Sequence, residues 1–253
     1  MARIISIFNQ KGGVGKTTTS CSIGSYLAAM GKYVLLVDLD PQANATSGLG
    51  VKLEDDHVNL YHTLVAGEEP EAIIRKSGIF GFDILPSAAS LAGATVELVD
   101  MEEREFKLKN ALNKIRTNYD YILIDSPPSL GLLTINGLAV AEQVIIPVQC
   151  EYYALEGLTQ LFKTIDLVRT SLNPRLQILG VLLTMYDKRN KLANEIVAEV
   201  KKNFPGHVFE TIIPRSVSLA EAPGFGKTIL QFDEKSKGAQ AYKELAEEIL
   251  RLA

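Results

Sequence analysis

The sequence of 253 residues lacks the features that mark secreted, membrane-spanning and thiolate-metal proteins. Its two cysteines, Cys21 and Cys150, stand far apart and outside any C-x-x-C pair, which excludes a disulfide framework and a thiolate metal site. No run of about 18 apolar residues is present, so we expect no membrane span. The N-terminus has no charged segment followed by a long apolar run, so we predict no signal peptide and a cytoplasmic, reducing setting.

The chain also lacks internal repeats, low-complexity tracts and any linker rich in glycine, proline or serine. We therefore expect one domain over residues 1–253. The formal net charge of −4 argues against a wholly basic nucleic-acid coat protein, but it leaves room for a local basic patch.

Short, nearly continuous apolar runs alternate with longer helical patterns, as in parallel sheets whose strands are buried on both faces. The predicted strands are 4–8, 33–37, 121–124, 144–148 and 177–183. The predicted helices are 16–30, 154–171, 190–203 and 238–252. The span 52–110 has the least regular pattern. This alternation predicts an α/β fold with a doubly wound, mainly parallel sheet and helices on both faces.

The pattern also predicts one helix end and two helix faces. Gly31 is expected to cap the first helix, because glycine tolerates the left-handed conformation found there. In 190–203 the residues at helical spacing are Leu192, Ile196 and Val200. In the last helix the apolar stripe comprises Tyr242, Leu245, Ala246, Ile249 and Leu250.

The segment N-Q-K-G-G-V-G-K-T-T-T-S at 9–20 carries the clearest chemical signal. It ends like the phosphate-binding pattern G-x-x-x-x-G-K-[ST], but Gln10 stands where the first glycine belongs. Lys11 and a glycine pair follow instead. A strand before this segment and a helix from Lys16 supply the context that a phosphate loop requires.

Each part of this loop suits a phosphate group. Glycines let backbone N–H groups point inward, and the helix start adds its partial positive charge. Lys16 is expected to reach the β- and γ-phosphates of a nucleotide, and Thr17 to hold Mg²⁺ through its hydroxyl. The alternative, a glycine-rich turn with surface lysines, is disfavoured because strand, loop and helix agree.

Acidic side chains end two of the predicted strands. Asp125 closes Y-I-L-I-D, and four apolar residues followed by an aspartate is how a strand presents a carboxylate to Mg²⁺. Asp38 and Asp40 end V-L-L-V-D-L-D and share one face, because strand side chains alternate. One of them is expected near the metal and the other a step further out, near a water. Solvated carboxylates at strand ends are the alternative.

Several longer segments match one known family. They are K-G-G-V-G-K-T-T, D-L-D-P-Q-A-N-A-T, Y-I-L-I-D-S-P-P-S-L, I-P-V-Q-C-E-Y-Y-A-L-E-G-L (146–158), G-V-L-L-T-M-Y-D (180–187) and I-P-R-S-V-S-L-A-E-A-P (213–223). In these segments the chain resembles the deviant phosphate-loop ATPases, and most of all the chromosomal Soj-like type within the ParA/Soj partition proteins. One departure is Ala43, where many relatives place glycine; we expect little effect from it.

The resemblance implies ATP and Mg²⁺ as cofactors, together with a set of site residues. The residues implied around the nucleotide are Lys11, Gly12, Gly13, Val14, Gly15, Lys16, Thr17 and Thr18, with adenine near Met185, Pro214 and Arg215. The implied metal-binding residues are Thr17, Asp38 and Asp125. The implied catalytic residues are Lys11, Lys16 and Asp40, of which Asp40 positions the attacking water.

The resemblance also suggests a role for the extra lysine. In this family the lysine that matches Lys11 reaches across a dimer interface to the partner's nucleotide phosphates, so ATP would join two copies and hydrolysis would release them. Gly12 would leave room for the two backbones to approach. From the residues alone, a solvated lysine without a partner is the alternative. Weak intrinsic hydrolysis that needs a stimulator is expected because the loop carries no arginine finger. The resemblance implies that this stimulator is a ParB-type centromere-binding protein.

Non-specific DNA binding in the ATP dimer is a further expectation. Residues 184–237 hold nine basic and seven acidic residues, a mild excess that also fits a merely solvated surface. The resemblance favours DNA contacts at Lys188, Arg189, Lys227, Lys235 and Lys237, and a location on the nucleoid. At Ser218 relatives often carry arginine, so this patch is expected to be thinner. No helix-turn-helix extension precedes residue 4, so operator binding is not expected.

Other functions share parts of this pattern. A MinD-like membrane ATPase would need a basic amphipathic C-terminal helix, whereas this chain ends in K-E-L-A-E-E-I-L-R-L-A, which is acidic on its polar side. An iron–sulfur ATPase would need a bridging cysteine pair, which Cys21 and Cys150 do not provide. A scaffold without hydrolysis would lack Asp40. A metabolic phosphoryl- or carboxyl-transfer enzyme stays open, although we find no second substrate site.

Overall fold

A computed structural model describes residues 1–54, 57–152 and 154–252, and its centre is a seven-stranded sheet. The strands are β1 (Arg3–Ile7), β2 (Val34–Asp38), β3 (Arg75–Ile79), β4 (Phe82–Leu85), β5 (Tyr121–Asp125), β6 (Gln143–Gln149) and β7 (Gln177–Thr184). Their order is β3-β4-β2-β5-β1-β6-β7. Every neighbouring pair is parallel except β3 and β4.

Helices connect the strands and cover the sheet. They are α1 (Lys16–Ala29), α2 (Asn44–Gly48), α3 (Pro70–Ile73), α4 (Leu91–Glu97), α5 (Lys107–Ile115), α6 (Leu132–Val140), α7 (Ala154–Ser171), α8 (Lys191–Asn203), α9 (Val217–Glu221), α10 (Ile229–Phe232) and α11 (Lys237–Arg251). A π-helical turn spans His62–Ala66, and 3-10 turns span Leu98–Asp100, Arg116–Asn118 and Ala222–Phe225. In the described part of the chain, no helix is both long and apolar enough to cross a membrane.

Alternation along the strands separates two hydrophobic cores, one on each face of the sheet. In β2, Leu35 and Val37 belong to one core, and Val34 and Leu36 belong to the other. The first core includes apolar side chains of α4 to α8, and the second includes those of α1 and α11. Successive positions of a central strand such as β2 are therefore apolar, because side chains on both faces of the sheet are buried against helices. The prediction of a doubly wound α/β fold is confirmed.

The predicted strand positions agree with the structure to within one or two residues, but two strands were not predicted. Both lie in the irregular span 52–110. β3 has the sequence R-K-S-G-I and lies at the sheet edge, where Ser77 is its one buried residue, and β4 has only four residues. A short edge hairpin gives little apolar periodicity. Asp55 and Asp56 in this span, Tyr153 in the segment 146–158 and the final Ala253 lie outside the described residues.

Helix ends and faces agree with the predictions except at one residue. Gly31 adopts a left-handed φ of 82°; its N–H donates to the carbonyl of Ala28, and that of Lys32 donates to Leu27, a Schellman cap. The predicted stripe of α11 is buried, with Leu250 partly so. In α8 the prediction for Leu192 is wrong: Leu192 is exposed, because the buried face of α8 carries Ala193 beside Ile196 and Val200.

Candidate functional site

The loop 8–15 leaves the carboxyl end of β1 and enters α1 at Lys16, and the acidic residues lie at the same edge of the sheet. Asp125, at the end of β5, is the register partner of Ile7 in β1 on one side and of Asp38 in β2 on the other. Parallel pairing therefore brings the loop, Asp38 and Asp125 together. The structure thus juxtaposes the phosphate loop with the acidic strand ends that the sequence indicated.

Two glycines shape the loop. Gly13 and Gly15 have φ values of 74° and 91°, which other residues rarely adopt. The carbonyl of Val14 accepts a hydrogen bond from Thr184 Oγ1 at 2.9 Å, which fixes the loop to the end of β7. Gly12 has open space around its Cβ direction, as close approach by a second backbone would require.

Lys16 lies at the start of α1 with 7% of its surface exposed. Its Nζ donates to the carbonyl of Lys11 at 2.9 Å. Burial lowers the pKa of Lys16, and the charges of Asp125 and Asp40 oppose that change. The ammonium group thus lies in the concavity of the loop, where it is hydrogen-bonded to a backbone oxygen. An incoming phosphate can take the place of that oxygen as its hydrogen-bond partner.

Hydroxyl groups of α1 hold the Asp125 carboxylate. Thr17 Oγ1 donates to Asp125 Oδ2 at 2.7 Å, and Ser20 Oγ lies 3.0 Å from Asp125 Oδ1. Asp125 is fully buried. Burial, and then the charge of Asp38, raise its pKa to about 7, and the hydroxyl hydrogen bonds oppose this rise.

Asp38 is also fully buried and is held from the other side. Its Oδ2 accepts hydrogen bonds from the backbone N–H of Thr46 at 2.8 Å and from Thr46 Oγ1 at 2.7 Å. Burial raises the pKa of Asp38 to about 6 despite these bonds. A cation bound between two neighbouring buried carboxyl groups would stabilise their charged forms, so this arrangement favours cation binding.

The donor set fits Mg²⁺. Thr17, Asp38 and Asp125 offer only oxygen atoms, the ligands that this hard cation prefers. Mg²⁺ at nucleotide sites is commonly held by one or two protein groups, with phosphates and waters completing the shell. In residues 1–54, 57–152 and 154–252, no group of three or more His, Cys, Asp or Glu side chains is placed to hold a metal ion.

Asp40 lies two residues beyond β2 and is 8% exposed. Its Oδ1 accepts a hydrogen bond from the backbone N–H of Gln42 at 2.9 Å. Its carbonyl accepts one from Ser87 Oγ at 2.7 Å, which ties this turn to the segment after β4. The carboxyl group is therefore oriented by its own turn. Ala43 in the same turn has a left-handed φ of 53°, which explains why glycine suits this position.

The remaining nucleotide candidates line one cavity. Met185, Pro214 and Arg215 surround a cavity of about 270 Å³ that also reaches Gly15 and Thr18 of the loop. Met185 directly follows β7 and adopts a left-handed φ of 54°, which is uncommon for a residue with a side chain. This cavity lies beside the phosphate loop and is large enough for part of a purine base.

The DNA candidates are all exposed but differ in their surroundings. They are Lys188, Arg189, Lys227, Lys235 and Lys237. Arg189 is paired within its own chain: Nε and Nη2 donate to the two carboxylate oxygens of Asp187 at 3.0 and 2.8 Å. Lys227 lies beside a small depression that is also lined by Thr17 and Thr18. Ser218 donates to Asp233 rather than extending a basic surface.

The sequence interpretation missed several residues that support this site. Ser20 lies three residues after Thr17, which also contacts Asp125, so its contact with Asp125 could have been found from helical spacing. Thr46 contacts Asp38 through the turn after β2, and Thr184 reaches the loop from a distant strand. Glu151 forms an ion pair with Lys11. These three contacts depend on the tertiary fold, and no local spacing indicates them.

Comparison with known proteins agrees with this geometry. A protein family described as an AAA domain matches residues 2–178. The sporulation initiation inhibitor protein Soj of Bacillus subtilis is 53% identical over 249 residues, which cover 98% of each chain. The chromosome-partitioning ATPase Soj of Thermus thermophilus is 52% identical over 248 residues, which cover 98% of this chain and 95% of that one.

A solved structure extends the likeness to three dimensions. It comes from Mycobacterium smegmatis and is described as cobyrinic acid a,c-diamide synthase with bound ATP analog and magnesium. It superposes with a TM-score of 0.88 at 40% identity, covering 99% of this chain and 95% of that one. The phosphate loop, the paired carboxylates and an identity of about half of all residues over nearly the whole chain together show that this chain belongs to the ParA/Soj family of chromosome-partitioning ATPases.

Proposed function

We propose that the protein is an ATP-dependent switch in chromosome or plasmid partitioning, a monomer without ATP and a dimer with it. The observation that carries this proposal is the juxtaposition of the phosphate loop with Asp38 and Asp125 at one sheet edge. Identity to the Soj proteins, at 53% and 52%, exceeds the 40% identity to the structure described as a synthase, which favours partitioning over a metabolic transfer reaction.

The residues of the loop bind the nucleotide in this proposal. Backbone N–H groups of Gly12, Gly13, Val14 and Gly15 face the phosphates, and Lys16 neutralises the β- and γ-oxygens. Thr17, Asp38 and Asp125 hold Mg²⁺, which when bound neutralises charge on the phosphates during transfer. Adenine occupies the cavity beside the loop in this proposal, where it contacts Met185, Pro214 and Arg215. Thr18 lines the same cavity.

Asp40 orients the attacking water. Its carboxylate is fixed by the Gln42 N–H and lies within interaction range of Lys16. The two side chains can therefore act on the same γ-phosphate. Lys16 neutralises its charge, and Asp40 orients the water that attacks it. An arginine finger can accelerate such a transfer by roughly 10³–10⁵, and without one we infer slow intrinsic hydrolysis that a ParB-type partner stimulates.

Lys11 acts across the dimer in this proposal. Its side chain is 52% exposed, so its ammonium lies where a second copy can approach. Two ATP-bound faces that meet bring several negative charges together, and one lysine from each side neutralises the other's phosphates. The ATP dimer then doubles weak contacts to DNA from Lys188, Arg189, Lys227, Lys235 and Lys237, which gives nucleotide-dependent binding to the nucleoid.

The MinD-like alternative is less well supported. All residues of the predicted apolar stripe of α11 except the partly buried Leu250 are buried against the rest of the domain, including Tyr242, whose hydroxyl lies 2.9 Å from that of Thr19 in α1. A helix whose apolar face is already covered has none to offer a lipid surface. Lipid co-sedimentation with ATP tests this alternative directly, and we expect none.

The oligomeric state tests the switch. An Asp40→Ala variant should form a dimer with ATP and Mg²⁺ and stay a monomer with ADP, because it binds but does not hydrolyse. Lys11→Ala should bind ADP normally yet stay a monomer with ATP. Lys114→Ala is the matched control, since Lys114 also belongs to an exposed Lys–Glu pair, with Glu69. ATP dimers that form equally well without Lys11 would disprove the assignment.

A further inference from the structure

Lys11 and Glu151 form an ion pair that joins the phosphate loop to the segment after β6. Their side chains are 52% and 36% exposed. With Asn9 and Gln149 they line a narrow crevice of about 30 Å³ beside the loop. The ammonium group that we assign to the partner's phosphates is therefore held by a carboxylate of its own chain when no partner is present.

The backbone on both sides of this pair is fixed. Asn9 Nδ2 donates to the carbonyl of Pro147 in β6 at 2.7 Å, while Asn9 Oδ1 accepts from the backbone N–H of Lys11 at 2.9 Å. On the other side, the N–H of Cys150 donates to the carbonyl of Thr184 at 3.1 Å. Because both segments are anchored to strands, opening of the pair requires only side-chain rotation.

We propose that Glu151 is a positioning residue, which retains the Lys11 ammonium in the single chain until the phosphates of a partner's ATP replace the carboxylate. This inference rests on the proposed role of Lys11 across the dimer. Phosphate oxygens of a triphosphate carry more charge than one carboxylate, and a closed interface strengthens their attraction. The exchange is therefore favourable only when two ATP-bound chains meet.

Nucleotide binding in the same chain prepares this exchange. Lys16 Nζ donates to the carbonyl of Lys11, and it must leave that oxygen to contact the β- and γ-phosphates. ATP thus removes one contact that fixes Lys11 and leaves the Glu151 ion pair as a contact that the partner has to displace. Glu151 in this way lowers the tendency of the protein to dimerise.

The size of the effect follows from the exposure of the pair. An exposed ion pair shifts an equilibrium by a factor of about 1.4–5. A symmetric dimer breaks two such pairs, so removal of the Glu151 charge should lower the dimer Kd by about 2–30-fold. The same small contribution means that Glu151→Gln should fold normally.

Sedimentation velocity with Mg²⁺ and a non-hydrolysable ATP analogue tests the inference. Glu151→Gln should lower the dimer Kd by about 2–30-fold, whereas Glu151→Asp, which keeps the charge, should stay near the wild type. The affinity of the single chain for ADP should not change, as it would if the substitution merely disturbed the loop. Glu69→Gln is the matched control, because Glu69 forms an exposed pair with Lys114.

The outcomes separate this inference from the function on which it rests. If Lys11→Ala dimerises like the wild type, the proposed role of Lys11 fails, and this inference fails with it. If Lys11→Ala abolishes dimerisation while Glu151→Gln leaves the dimer Kd unchanged or raises it, the proposed function stands and only the role of Glu151 is overturned.

Discussion

Asp38 and Asp125 are register partners on adjacent parallel strands, and both carboxyl groups are fully buried. Burial is the main reason that their pKa values rise to about 6 and 7, and for Asp125 the charge of Asp38 adds to it. The folded protein thus binds protons more tightly at this site than the unfolded chain does. In the absence of a cation, the site that we assign to Mg²⁺ destabilises the fold at neutral pH.

Stability without nucleotide should therefore fall as the pH rises. A group whose pKa is raised on folding contributes its full stability below the unfolded value near 4 and loses that contribution as the pH rises through its folded pKa. For Asp38 and Asp125 this window is about pH 4 to 7. Ionisation of Asp125 costs the folded state more than ionisation of Asp38, because its pKa is raised further. Asp125→Asn removes this cost, so the variant should be more stable than the wild type at pH 8, by on the order of 2 kcal/mol.

Urea denaturation in EDTA at pH 5, 6, 7 and 8 measures this difference. The advantage of Asp125→Asn should shrink towards pH 5, where the wild-type carboxyl is protonated as well. Asp166→Asn, an exposed aspartate paired with Arg169, serves as the control and should show no such pH dependence. An equal difference at every pH would mean that packing, and not ionisation, distinguishes the variant.

Ala43 adopts a conformation that favours glycine, with φ of 53° and ψ of 33°. It precedes α2 and follows the turn of Asp40, whose carbonyl accepts its N–H at 2.9 Å. The left-handed region costs a residue with a Cβ about 1–2 kcal/mol, part of which glycine loses again through its greater freedom in the unfolded chain. Ala43→Gly should therefore raise the free energy of unfolding by about 0.5–1 kcal/mol.

A second alanine in the same segment gives the opposite sign. Ala45 is fully buried within α2, so Ala45→Gly should lower the free energy of unfolding by at least about 1 kcal/mol. Thermal and urea unfolding of both variants against the wild type decide the matter. If Ala43→Gly were also destabilising, the left-handed backbone at this position would not be a source of strain.

Gly24 allows α1 to lie close against the sheet. A Cβ at this position would lie 2.4 Å from the ring of Phe82, which is fully buried in β4. Gly24→Ala should therefore destabilise the protein by about 1–3 kcal/mol, because the ring or the helix has to move. Since α1 begins at Lys16, the affinity for nucleotide should fall as well, and calorimetric titration with ADP measures that loss.

Gly157 in α7 provides a matched substitution with the reverse expectation. Nothing lies within 4 Å of an added Cβ there, and the residue is helical. Gly157→Ala should raise the free energy of unfolding by about 0.5–1 kcal/mol through helix propensity alone. A similar loss of stability in both variants would show that the contact with Phe82 is not what makes glycine necessary at position 24.

Local sequence patterns predicted much of this fold and site because the phosphate loop is itself local. The residues from Lys11 to Thr17 are contiguous, and Asp125 ends a strand whose apolar run is easy to recognise. The edge hairpin of β3 and β4 gave no such run. Contacts such as Asp38 with Thr46 and Gly24 with Phe82 are made only when the chain folds back on the sheet, so neither residue type nor spacing reveals them.

Arg189 is the DNA candidate whose charge is most clearly neutralised within the chain. Its guanidinium group forms a two-point contact with Asp187 and holds the pKa of that carboxyl at about 2. If Arg189 contacts DNA as we propose, the phosphates compete with Asp187 for its guanidinium group. Asp187→Asn removes the competitor, and we expect a gain in DNA affinity of about 2–5-fold in the ATP form.

Fluorescence anisotropy with a non-specific duplex, from about 50 to 200 mM salt, measures both affinity and its salt dependence. Asp187→Asn should bind more tightly. The slope of the logarithm of the DNA-binding constant against the logarithm of the salt concentration should also be steeper, by up to about the amount that one additional phosphate contact per chain contributes. Arg189→Glu should weaken binding at every salt concentration. Asp166→Asn frees Arg169 on α7, outside the candidate surface, and should leave binding unchanged. If Arg189→Glu binds DNA as the wild type does, Arg189 is not a DNA contact, and the basic surface must be sought among the lysines.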